Sequence, residues 1–108
     1  MEQQEFLEKN VFVDLKNVNE NFEADGIHYF SEADFETILQ KCEYSGIGIY
    51  TIEAQLNGAS FGISSHETHN KKATDPKWYK KAFFNFKKGE SGMIYTATYK
   101  VSTKLLMR

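Results

Sequence analysis

Residues Ile47 to Leu56 alternate, placing Tyr50, Ile52, Ala54 and Leu56 on one side, and Asn57-Gly58 then joins them to a second run, Ala59–Ser64. Asn-Gly suits a two-residue turn because both positions tolerate positive φ, which matches the twist of paired strands. Period-2 alternation marks a sheet with one face turned to a core. The chain is therefore predicted to carry an antiparallel hairpin whose apolar face must be covered by something else in its 108 residues.

Two segments are suited to that role. Ser31 can cap the free amides of a helix over residues 31–45, with Asp34 in its first turn and Phe30 placed to staple onto Phe35. Phe35, Ile38, Leu39 and Cys42 recur as one helical stripe, Glu32, Asp34, Glu36 and Glu43 lie off it, and Gly46 ends it. Residues Ser65 to Thr74 hold no apolar side chain except Ala73 and read as a loop. Asp75-Pro76 then supplies an N-cap and a first-turn proline for a helix running to Lys88, stopped by Gly89. Its apolar arc is Trp78, Tyr79, Ala82, Phe83 and Phe86.

Met93 to Leu106 alternates again, with Tyr95, Ala97, Tyr99, Val101 and Leu105 on one face, and is predicted to be a long central strand. Near the start, residues 2–9 suit a short acidic helix and Val11–Leu15 a strand, while Asp25-Gly26 is a turn signal before a short strand over Ile27–Phe30. The order strand, helix, strand, strand, helix, strand is that of an α+β domain with two main helices on one face of an antiparallel sheet. A ferredoxin-like sandwich has this order, and a more extended, curved antiparallel sheet fits it as well. One domain over residues 1–108 is expected, with 1–25 as a loosely ordered N-terminal extension that holds the extra helix and strand. Gly46 and Gly48 precede a strand, not a helix, so they do not form a dinucleotide-binding turn.

Charge is sorted along the chain. Residues 1–70 hold 13 acidic side chains against three lysines, and residues 71–108 hold ten basic against two acidic, a sorting hidden by the net charge of −2. Such fields either meet inside the fold or are offered to a partner. A lone cysteine, Cys42, rules out an internal disulfide, and the opening MEQQEFLEKN is acidic where a signal peptide is basic and then apolar. A cytoplasmic location is expected. No apolar run approaches the roughly 20 residues that span a bilayer, so no membrane partner is expected.

Lys77, Lys80, Lys81, Lys87 and Lys88 fall opposite the apolar arc of the second helix, and Phe84 lies among them. Ammonium groups around an exposed ring suit contact with carboxylates or phosphates. The complementary patch is Glu32, Asp34, Glu36 and Glu43 on the first helix. Opposite patches orient association between chains. If the two helices lie side by side, the same charges cancel within the fold.

His66, His69 and Asp75 offer three ligands for a metal such as zinc, but structural sites want four and catalytic sites a supported open position. Ser64, Ser65 and His66 are neighbours in sequence and lack a nucleophile–base–orienter geometry. Cys42 sits on an apolar stripe, where a thiol is a small core group. Tyr50, Tyr95 and Tyr99 can line either a core or a pocket, and the uncovered sheet face is a second place for a ligand. No catalytic residue and no cofactor are assigned. The reading is a non-catalytic binding or assembly module acting through protein contact or homo-oligomerisation, with single-stranded nucleic-acid binding and a metal- or pocket-based enzyme as alternatives.

Overall fold

The computed structural model describes residues 2–13, 15, 28–57 and 59–107. Its elements are α1 (Gln3–Asn10), β1 (Phe30–Ser31), α2 (Glu32–Ser45), β2 (Gly48–Leu56), β3 (Ala59–Ser65), α3 (Pro76–Gly89), β4 (Ile94–Lys100) and α4 (Thr103–Leu106). The four strands form one antiparallel sheet in the order β1-β4-β2-β3, so this is an α+β fold. β4 is central, as its alternation predicts. A ferredoxin-like sheet centres its first and third strands, whereas here β4 and β2 hold the centre and β1 is an edge.

Both main helices form where their caps predict. Ser31 Oγ accepts from the Asp34 amide at 3.3 Å, and the chain leaves α2 through Gly46 at φ 73°, a left-handed conformation that glycine adopts without steric cost. Asp75 Oδ1 accepts from the Lys77 amide at 2.9 Å at the start of α3, and Gly89 is its last helical residue. Both helices lie on the Tyr95 face of the sheet. The buried Tyr95 ring stacks on Phe35 of α2, with centroids 5.3 Å apart, and meets Phe83 of α3 edge-on at 5.0 Å. Phe35 also meets Phe83 edge-on at 5.4 Å, so three rings join helix, helix and sheet. Edge-to-face and offset contacts of this kind add to the burial itself.

Four sequence expectations are corrected. Val11–Leu15 is not a strand among its described residues: the Val11 and Phe12 amides both donate back to the Leu7 carbonyl, winding the chain off α1 and burying both side chains. The expected strand Ile27–Phe30 is only Phe30–Ser31, and Ile27 lies outside the described residues. β4 stops at Lys100 because Ser102 caps a short helix, its hydroxyl accepting from the Leu105 amide, so Leu105 leaves the strand face.

The last correction concerns Tyr50. The pairing of β2 with β4 slips between Ile49 and Thr51, so Ile49 faces Tyr99, Thr51 faces Thr98 and Tyr50 is the extra residue. Such a bulge reverses the alternation beyond it. Ile49 therefore takes the buried position that the pattern gave to Tyr50, which stands 40% exposed. A second slip in β2–β3, where Ala54 faces Gly62 and Gln55 faces Ser60, leaves Phe61 as the extra residue of β3. Gly62 is confined there: a Cβ would come within 3.1 Å of the Phe86 ring.

α1 closes one end of the core. Gln3 Nε2 donates to the Tyr99 carbonyl at 2.9 Å and Gln3 Oε1 accepts from the Val101 amide at 3.4 Å, while Phe12 packs on Phe30 and Tyr99. Lys41 Nζ donates to the Val11 carbonyl at 3.1 Å, tying the turn to α2. No helix among the described residues is long and apolar enough to cross a membrane.

Candidate binding surfaces

The acidic face of α2 and the lysines of α3 are brought together by the packing of these two helices. Lys80 Nζ reaches Glu43 Oε1 at 3.0 Å and Lys87 Nζ reaches Glu36 Oε1 at 3.8 Å, and Lys87 also lies 5.0 Å from the centre of the Phe83 ring. These pairs are largely open to solvent, so each contributes at most about 1 kcal/mol. They are the cancellation that a side-by-side arrangement of helices implies. Lys77, Lys81 and Lys88 have no carboxylate within 4.0 Å among the described residues and remain as a reduced basic face. Phe84 is 60% exposed at the mouth of the α2–α3 groove, where Leu39, Phe83 and both ion pairs are its neighbours. Glu32 and Asp34 stand in the first turn of α2, where a carboxylate complements the helix dipole.

The loop candidates are engaged separately. His66 Nδ1 donates to the Lys71 carbonyl at 2.8 Å, His69 Nε2 is bonded to Ser64 Oγ at 2.9 Å, and Asp75 is spent on the α3 cap. Both imidazoles lie beside the Trp78 ring, at 6.4 and 5.6 Å. Among the described residues no three His, Cys, Asp or Glu side chains come together as a metal site.

Cys42 is buried against the sheet, and burial pushes its thiol up to about 12. A thiol so raised is not a nucleophile near neutrality. Labelling by a thiol-specific disulfide reagent at neutral pH should therefore be slow in native protein and rapid in urea. A native rate equal to the unfolded one would remove Cys42 from the core.

Tyr50, Tyr95 and Tyr99 do not line one cavity. Tyr95, on β4, faces the two main helices, with a hydroxyl that is buried and unpartnered and that burial raises to about 12. Tyr79, in α3, is likewise buried with an unpartnered hydroxyl; burial, then Cys42, Glu43 and Asp75, raise it further. Tyr99 is raised well above its ordinary value by burial and by Cys42.

Tyr50 and Tyr99 instead border a groove of about 570 Å³ on the sheet face that the two main helices leave uncovered. Thr51, Glu53, Thr96 and Thr98 contribute to its lining, with the Thr51 and Thr98 hydroxyls 2.8 Å apart. The β2 bulge turns Tyr50 out of the core and onto this groove. Period-2 reading without the bulge misses it.

The outer edge of the sheet is β3. Its sequence, Ala-Ser-Phe-Gly-Ile-Ser-Ser, has no charge and no proline, and Phe61 and Ile63 are 47% and 66% exposed. Edge strands are ordinarily protected by charges, proline or bulges. Here only the bulge at Phe61 is present, which leaves Gly62–Ser65 as regular strand. The sequence marks the run as a strand but does not say that it lies at an edge. No family model, curated protein or solved structure matched this chain.

Proposed function

We propose that this chain is a non-catalytic binding and assembly module that associates with a second copy of itself through the outer edge of β3. The observation that carries this reading is an uncharged, proline-free edge strand bearing exposed Ile63 and Phe61. Two such edges can pair antiparallel about a two-fold axis, which satisfies backbone groups and covers both apolar side chains. The lysine–carboxylate pairs within each chain favour this edge over the charged helices as the contact. A cytoplasmic setting fits a chain whose one cysteine is a buried free thiol.

Solution mass by light scattering tests the proposal. Mass should rise with concentration toward twice 12.5 kDa, hold or strengthen as salt rises, and return to monomer in Ile63→Lys. Dissociation by salt would assign the contact to the charged patches of α2 and α3 instead. A monomer at all concentrations would overturn self-assembly. Oligonucleotide titration would then test Lys77, Lys81, Lys88 and Phe84 as a single-strand surface.

A further inference from the structure

Glu53 sits in the middle of the uncovered sheet face, with Thr96 opposite it on β4 and Ile63 opposite it on β3. Its Oε1 accepts from Gln55 Nε2 at 3.3 Å and from the Tyr29 hydroxyl at 3.5 Å, both neutral donors at long range. No lysine, arginine or histidine nitrogen lies within 4.0 Å of it among the described residues. Among the described residues that line the groove the one basic side chain is His28, whose Nε2 lies 3.9 Å from Glu8. A cation that enters the groove would give this half-buried carboxylate a counter-ion.

A second observation lies beside it. Gln55, buried and bonded through Nε2 to the Tyr29 hydroxyl at 2.9 Å, has an Oε1 with no donor. Gln55 is not among the described residues that line the groove, so the carboxylate is the charged acceptor that the groove presents. Around the carboxylate the lining includes Tyr29, Tyr50 and Tyr99 beside the threonines, with Phe12 and His28 stacked at 5.0 Å toward α1. Aromatic faces attract an organic cation and cover its hydrocarbon, and the roughly 570 Å³ of the groove falls in the size range of small-ligand sites.

We propose that this groove binds the ammonium group of a small organic amine, with Glu53 as its counter-ion and Tyr50 as an aromatic wall. The ammonium is the chemical class because the groove offers a carboxylate among aromatic faces and no lysine or arginine is among its described lining residues. The groove meets the β3 edge at Ile63, and amine binding is an inference beyond self-association.

Titration of the full chain with n-butylammonium chloride, followed by amide NMR shifts at constant ionic strength, tests it. Saturable shifts at Thr51, Glu53, Thr96 and Thr98 are expected, with 1-butanol producing none. Glu53→Gln should weaken binding by about tenfold or more, the scale of one lost charge-assisted contact, while melting no lower than the native protein, since it removes an uncompensated charge. Tyr50→Ala, at an exposed position, should weaken binding by about two- to fivefold, as loss of one exposed cation–π contact does. Absence of saturation, equal binding of butanol, or unchanged affinity in Glu53→Gln would each overturn the proposal.

Discussion

Truncating Phe35 to alanine should cost about 3–5 kcal/mol, the range for deleting a fully buried ring. Phe35 has no exposed surface and touches Tyr95 and Phe83 at once, so its loss opens a cavity where α2, α3 and β4 meet. Native domains of this size are stable by only about 5–15 kcal/mol, so the variant should be partly unfolded at modest urea. Tyr95→Phe is the contrasting change. It keeps the ring and removes a buried hydroxyl that has no partner, and so should raise stability by about 1 kcal/mol, the lower part of the penalty for an unsatisfied group. Urea midpoints by circular dichroism read both. A loss below about 1 kcal/mol in Phe35→Ala would dethrone this junction as the centre of the core.

Alkaline pH should unfold the protein cooperatively. Tyr95 moves from an ordinary 10.0 to about 12 on burial, and Tyr79 and Tyr99 are raised in the same sense, each chiefly by burial. A phenol raised in the folded state binds its proton more tightly there than in the unfolded chain. Its contribution is fully present below pH 10 and is lost as pH climbs through the folded value. The three groups act together in this sense. Near-ultraviolet circular dichroism and the buried share of the tyrosinate absorbance should therefore change together in one step between about pH 10 and 12. Smooth phenolate titration near 10 with native dichroism intact would show these rings to be open to water.

Both main helices and the hairpin were legible because their signals are local. Ser31, Gly46, Asp75 and Pro76 act within a turn of the residues they cap, and the stripe of Phe35, Ile38, Leu39 and Cys42 is a property of one helix. Bulges are different. Tyr50 leaves the core because Ile49 is held from outside the strand: its amide donates to the Ala73 carbonyl at 2.9 Å, and its side chain lies opposite Tyr99. Nothing within Ile47–Leu56 records those neighbours. The end of β4 was misread for a related reason, since Ser102 serves equally as a strand residue or a cap until α1 takes the Val101 amide.

The candidate surfaces follow the same division. Lys80, Lys87, Glu36 and Glu43 were identifiable as charges, but only the packing of α2 on α3 pairs them. Phe61 and Ile63 were visible as strand residues, and strand order alone puts them at an edge. Glu53 carries no local signal, because a carboxylate on a strand's polar side is ordinary until its surroundings are known.

Trp78 is the sole tryptophan, almost wholly buried, with its Nε1 donating to the Ala73 carbonyl at 3.4 Å and both loop imidazoles against its ring. The chain thus carries one intrinsic fluorophore, seated where the loop over residues 66–74 meets α3. Lifting that loop would wet the indole and shift its emission to the red before secondary structure is lost. Local opening and global unfolding thereby have separate optical signals in the unmodified protein.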